Sequence, residues 1–362
     1  AMRASEMRRR ARIFLVLLAV LVLAACDDRP AAPTWPPARE LAYCDWVDYQ
    51  VRPVMEAFEK EYGTKIKYVP LPTQEAFAEA LRGGKCDVAV IGNELMPALV
   101  AGGLLAEVDY RNVLNFRNVA ANFRDLVYDP NNRFSIPFRW GTIGLLVRTD
   151  QATRPAGRWA DLGAAGKTAL WDMPRNAVPV ALKAAGYSVN SEAPAELEAA
   201  LNFLLARKAA FTIWPAEAAS IAPTLVEDRA VMAFGWSFDA LAAREGNPNI
   251  TYILPEEGAI LWGESLVIGT STTRKSTAEA YIDFILRPEM SAQVTNVLHF
   301  ATTNEAAHTL VDPKLRNDPI IFPPNEYLKN AEIILPISPE GEKRYTELWA
   351  RFLASGQHEK DH

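Results

Sequence analysis

Residues 40–91 read ELAYCDWVDYQVRPVMEAFEKEYGTKIKYVPLPTQEAFAEALRGGKCDVAVI. Glu40 to Asp45 is a short strand that ends at Trp46. Val54 to Tyr62 sets Val54 and Phe58 one helical turn apart among Glu56, Ala57, Glu59 and Lys60, the spacing of an amphipathic helix. Lys65 to Val69 is a second strand, and Gln74 to Arg82 a second helix stopped by Gly83-Gly84. Cys86 to Ile91 is a short, apolar third strand. Strand and helix thus alternate as βαβαβ, which implies parallel strands with right-handed crossovers and an α/β fold.

The alternation continues downstream. Ser135 to Thr142 leads into an apolar strand, Ile143 to Arg148. Thr168 to Trp171, Ala230 to Phe234 and Ile250 to Ile253 read as strands. Pro179 to Ala185, Glu192 to Arg207, Phe238 to Arg244 and Thr277 to Leu286 read as helices, the last stopped by Arg287-Pro288. Ser265 to Ile268 opens a strand able to pair back into the first sheet, and a final helix lies near Pro339 to Leu353. The chain therefore builds one α/β lobe, crosses to a second and returns. A ligand between such lobes would sit at the carboxyl ends of strands.

Composition agrees with a packed protein: 362 residues, 49% hydrophobic and 23% charged. A formal net charge of −6 gives no basic footprint for nucleic acid. The charge is uneven. Residues 1–25 hold five arginines and one glutamate, followed by thirteen apolar residues from Ile13 to Ala25. That is the pattern of a signal peptide, and the apolar run is short for a spanning helix. Leu23-Ala24-Ala25-Cys26 resembles a bacterial lipoprotein cleavage site, with Cys26 as the lipidated first residue. Asp27 resembles an inner-membrane retention signal. Residues 26–38, rich in proline, read as a stiff tether, and residues 356–362 as a polar tail.

The chemistry of an enzyme is missing. The four histidines are His299, His308, His358 and His362, two of them in the tail. No spacing matches a zinc site, a nucleophile elbow or a phosphate-binding glycine loop, and no cofactor is expected.

Several segments together carry a family resemblance. Tyr128-Asp129-Pro130-Asn131-Asn132 and Ser135-Ile136-Pro137-Phe138-x-Trp140-Gly141-Thr142 resemble runs in spermidine/putrescine-binding proteins of ABC importers. Trp159-Ala160-Asp161-Leu162, Leu182-x-x-x-Gly186-Tyr187, Pro255-Glu256-Glu257-Gly258-x-x-x-Trp262-x-Glu264-Ser265-Leu266 and Leu286-Arg287-Pro288-Glu289 follow in the family's order. The resemblance implies a two-lobed periplasmic binding protein whose chain crosses its hinge more than once. Lobe one would be 39–140 plus 263–308, and lobe two 141–262 plus 309–355. It further implies a monomer that captures a polyamine or related small amine and delivers it to an ABC permease. With the lipid on Cys26, it would work in the periplasm, anchored to the inner membrane.

By the same resemblance, Trp46, Tyr49, Trp236, Trp262, Glu264 and Phe300 form the ligand site, with aromatic faces for ammonium groups and a carboxylate for their N–H donors. Asn93, Glu94, Arg139, Asp172, Asn176 and Asp239 are further candidates. The sequence departs from the family at Val47, Gly92, Glu94, Met173, Asn176 and Ile334, where polar contacts for the far end of a polyamine are expected. These losses open a second reading: the same scaffold re-specified for a zwitterionic or neutral small molecule. A third is a ligand-sensing partner of a membrane receptor. Arg139 and Arg175 read first as surface or interlobe ion pairs; either, facing the pocket, would repel a polyamine and invite a carboxylate.

The fold also bears on Cys44 and Cys86. If Cys86 opens a strand parallel to that of Cys44, the offset is about four residues, or roughly 13 Å. A disulfide needs Cα atoms within roughly 7 Å. Two free, buried thiols are expected.

Overall fold

Strand β1 (Glu40–Trp46) pairs in parallel with β2 (Lys65–Leu71) and β3 (Val88–Gly92). This is a computed structural model of the chain; it describes residues 37–355 apart from 217 and 219, so the expected signal peptide, Cys26 and the expected tail lie outside the described residues. Helix α1 (Arg52–Tyr62) takes Pro53 in its first turn, buries Val54, Met55 and Phe58 on one face, and ends at Gly63 with φ +70°. Helix α2 (Gln74–Arg82) is capped by Thr73, whose hydroxyl accepts from the Ala76 N–H at 3.3 Å. The βαβαβ unit is as the periodicity implies.

Two long strands carry the chain across the molecule. Strand β4 (Ser135–Arg148) is buried at every position but one. After it come β5 (Thr168–Trp171), α3 (Pro174–Ala184), α4 (Pro194–Leu205), β6 (Phe211–Trp214), β7 (Met232–Trp236), α5 (Ser237–Gly246) and β8 (Ile250–Ile253). Strand β9 (Ile260–Ile268) then returns antiparallel to β4 and pairs with β3. The sheet runs β2-β1-β3-β9-β4-β7-β5-β6, so β9 and β4 are its shared centre. One core has two clusters, one with Leu41, Phe58, Val90 and Leu266 and one with Phe77, Ile91, Leu99 and Val267. The other gathers Leu145, Trp159, Leu182, Phe234 and Trp349. Helices α6 (Lys275–Ile285) and α7 (Pro288–Leu298) cover the first, and α8 (Pro339–Ala354) the second. Two short strands, β10 (Ala301–Thr302) and β11 (Glu332–Ile333), add to β4 and β9.

The cysteine expectation is corrected. Cys44 and Cys86 form a disulfide with Cα atoms 5.7 Å apart. The strand starts at Val88, not Cys86. Ahead of it the chain folds across β1: the Asp87 N–H donates to the Ala42 carbonyl at 2.9 Å, and the Asp87 carboxylate accepts from the Ala42 N–H at 2.7 Å. That bend returns Cys86 to Cys44, and the rise per residue of a straight strand does not apply to it.

Candidate functional site

The site grows from an irregularity in β4. Pro137 lies opposite Ser265 and Arg139 opposite Glu264, so Phe138 is an extra residue without a partner across the ladder. Such bulges re-aim the next side chain. Here the bulge sets Arg139 directly across from Glu264, which itself lies opposite Gly92 of β3. The arginine Nε donates to a Glu264 oxygen, and both residues are buried. Its fork donates to Asp45 at the end of β1, Nη2 to Oδ1 at 2.6 Å and Nη1 to Oδ2 at 3.2 Å. Asp45 is fixed in turn by the Trp46 N–H at 2.8 Å and the Tyr43 hydroxyl at 2.9 Å.

The ion pair expected of Arg139 is present, but not at a surface. Instead Arg139 is 1% exposed and central to the site. Burial pushes the Asp45 and Glu264 carboxyls up, and the guanidinium between them pulls both partway back. Burial works against the Arg139 charge as well, but the two carboxylates outweigh it and hold the guanidinium protonated.

Aromatic rings enclose this cation. The Arg139 Cζ lies 5.0 Å from the Tyr49 ring centroid and 5.3 Å from that of Phe300. Tyr49 is placed by a turn in which Asp48 takes φ +67°. Phe300 follows His299, the left-handed residue that ends α7. Phe300 meets Tyr49 at 5.0 Å and Trp262 at 5.3 Å, both edge-on. Trp262 lies across from Gly141, where a Cβ would fall 2.7 Å from its ring, so glycine is what admits the indole. Trp236 does not touch this cluster directly. It stacks on Phe238 at 5.8 Å, and Phe238 meets Phe300 at 5.4 Å. A small cavity beside the cluster is lined by Asn93, Tyr128, Arg139, Trp262, Glu264 and Thr303, among others. The buried Trp262 Nε1 has no hydrogen-bond partner.

The remaining candidates are placed as follows. Trp46 is half-buried, edge-on to Phe77 at 4.9 Å. Asn93 is buried and accepts from Ser265 at 2.8 Å. Glu94 accepts from Gln74 and folds back over Gly92, where a Cβ would meet its carboxylate at 2.7 Å. Asp172 is exposed and accepts from the Trp349 indole at 2.7 Å. Asn176 and Met173 are half-buried at the start of α3, and Val47 is exposed. Ile334 is buried and its N–H bonds to Leu261. Arg175 pairs with Glu342 at 3.1 Å and donates to the Leu335 carbonyl. Asp239 is fully buried and accepts from the Ser220 hydroxyl and the Ile221 and Trp236 N–H groups, so it caps α5 and fastens a loop. Burial pushes it up to about 6.

Sequence reasoning missed Asp45 and Phe238. A carboxylate inside an otherwise apolar strand is the signal for the first, because a buried charge needs a partner. Phe238 is indistinguishable from a core residue in sequence alone.

Two cores sharing central strands, with a polar and aromatic cluster at the crossing, define a two-lobed solute-binding protein. The chain belongs to the bacterial extracellular solute-binding protein family, whose profile matches residues 54–323. This family comprises non-enzymatic solute-binding proteins of ABC importers. The spermidine/putrescine-binding periplasmic protein of Escherichia coli K12 is 30% identical over 299 residues, 81% of this chain and 85% of that one. The putrescine/agmatine-binding protein of Pseudomonas aeruginosa PAO1 is 25% identical over 359 residues, 92% and 97% of the two chains. Among solved structures, the spermidine/putrescine substrate-binding protein PotD of Streptococcus pneumoniae superposes with a TM-score of 0.80 at 25% identity, over 88% of this chain and 99% of that one.

Proposed function

We propose that this protein is the capture component of an ABC importer. It is held at the inner membrane by a lipid on Cys26 and closes two lobes around one small organic solute. The lobes are taken as 39–140 plus 263–308 and 141–262 plus 309–355. β4 and β9 form the hinge between them, and a ligand touching both sides stabilises the closed form. The closed molecule then presents its solute to the permease. The observation that carries this reading is the cluster of Asp45, Glu264, Tyr49, Trp262 and Phe300 at the strand crossing.

The names of the relatives make a polyamine or related small amine the first reading. A second reading, a zwitterionic or neutral small molecule, is favoured by the Arg139 guanidinium, which already sits between the carboxylates.

A thermal-shift screen of the purified protein against polyamines, amino acids and small amines tests capture, because a ligand specific for the folded form raises the midpoint by mass action. A saturable shift from any of these classes is expected; none from any class removes the reading. Anchoring is tested separately: Cys26→Ala should move the protein from the membrane fraction to the soluble periplasm, and an unchanged distribution would remove the lipid.

A further inference from the structure

The group that would receive a ligand ammonium is already satisfied from within the chain. Arg139 spends three donors on two carboxylates, Nε on Glu264 and both Nη atoms on Asp45. Its guanidinium also occupies the position over the Tyr49 and Phe300 rings where a cation is stabilised. The bulge at Phe138 holds it there. With all three groups ionised the cluster carries a single net negative charge, so it compensates one further cation and no more.

The other candidate carboxylates do not line this cavity, and neutral donors hold them. Glu94 accepts from Gln74, Asp172 from Trp349, and Asp239 from Ser220, Ile221 and Trp236. What remains beside the cavity is the indole N–H of Trp262 and the hydroxyl of Tyr128, both buried and without a hydrogen-bond partner; both can donate, and the hydroxyl can also accept from one ammonium. Putrescine and spermidine bring two and three ammonium groups and no acceptor. They would leave ammonium groups unpaired, and a buried unpaired charge is strongly disfavoured. A single ammonium would use the remaining negative charge, and a carboxylate on the same molecule would accept from both the Trp262 indole and the Tyr128 hydroxyl, two donors to one charged group.

We propose that Arg139 is a built-in substitute for a ligand ammonium, and that the cleft selects a small carboxylate-bearing zwitterion over a polyamine. This rests on the reading of the cleft as the capture site.

The test is calorimetric titration of the purified protein and its variants with putrescine, spermidine and three zwitterions: glycine, L-proline and 4-aminobutyrate. Asp45→Asn with Arg139→Met empties the cage and leaves Glu264 as its one carboxylate, without stranding two charges. The net charge stays at −1 but the position over the rings and against Glu264 is vacant, so one spermidine ammonium should enter it and binding should tighten roughly tenfold to a hundredfold, the scale of one hydrogen bond to a charged group. Arg139→Lys keeps a cation in place and should still exclude spermidine, which keeps the inference testable if the double variant does not fold. Micromolar spermidine or putrescine binding by the unaltered protein would overturn the inference while upholding solute capture. So would spermidine binding gained by Arg139→Lys, or none gained by a folded double variant. Silence from the unaltered protein toward every compound in the broader screen above would remove the capture reading as well.

Discussion

Arg139 and Glu264 face each other across β4 and β9, the two strands common to both cores, and their side chains are 2% and 10% exposed. The pair therefore belongs to the strands shared by both cores as well as to the candidate site. Breaking a buried pair from one side leaves a charge in a poor solvent. Arg139→Met strands both Asp45 and Glu264, and should lower unfolding free energy by about 3–5 kcal/mol. Adding Asp45→Asn should recover a large part of that loss. Urea denaturation of the single and double variants checks this; equal stabilities would mean that Asp45 is not charged opposite Arg139.

The same logic separates two substitutions that the sequence alone treats as equivalent. Glu264→Ala removes a proposed ligand contact and a partner of Arg139 together, so it should lose both stability and binding. Trp262 is only half-buried and rests on Gly141. Trp262→Ala should leave the fold intact and weaken ligand binding by about 2 kcal/mol or more, roughly thirtyfold, as an aromatic anchor at a site centre does. Calorimetry paired with a thermal melt distinguishes the two. Unchanged affinity in Trp262→Ala would move the pocket elsewhere.

The Cys44–Cys86 bond closes a loop with a sequence separation of 42. On the chain-entropy account a loop of that size is worth roughly 4 kcal/mol. Cys44→Ala with Cys86→Ala should therefore unfold at markedly lower urea, and alkylation of the unfolded, unreduced protein should label neither cysteine. Labelling of both would restore free thiols.

These outcomes trace where the sequence is legible and where it is not. Periodicity and stop signals locate α2 to the residue and α1 to within two, because amphipathic spacing and glycine stops are local properties. Thr168–Trp171 and Ile250–Ile253 are equally plain. Strand β4 is read eight residues short at its start, since Pro137 breaks the strand pattern and the bulge it accompanies is visible only against β9. The resemblance singles out Tyr49, Trp262 and Phe300, which do meet, but it does not place Trp46 on Phe77 or Trp236 on Phe238. The partner of Glu264 is not legible: the direction of Arg139 depends on pairing across 125 positions of sequence. The disulfide is hidden for a similar reason, because the bend at Asp87, just before β3, is set by Asp87 bonding to Ala42.

Asp239 supplies a pH dependence whose direction follows from its surroundings. It is fully buried, and burial pushes its carboxyl up to about 6 while the Ser220 hydroxyl and the Trp236 and Ile221 N–H groups restrain the rise. The unfolded carboxyl titrates near 3.9. Between these values the folded chain holds a proton that the unfolded chain has released, so the contribution favours folding at low pH. It is fully present below about 3.9 and is lost as pH rises through about 6. Two units of separation correspond to roughly 3 kcal/mol. Asp239→Asn cannot titrate and serves as the reference. The stability of the unaltered protein relative to Asp239→Asn should fall by roughly that amount between pH 4 and pH 7, read from urea midpoints at each pH. A difference that stays flat would mean that Asp239 is ionised throughout. One that grows with pH would mean that its hydrogen bonds outweigh its burial.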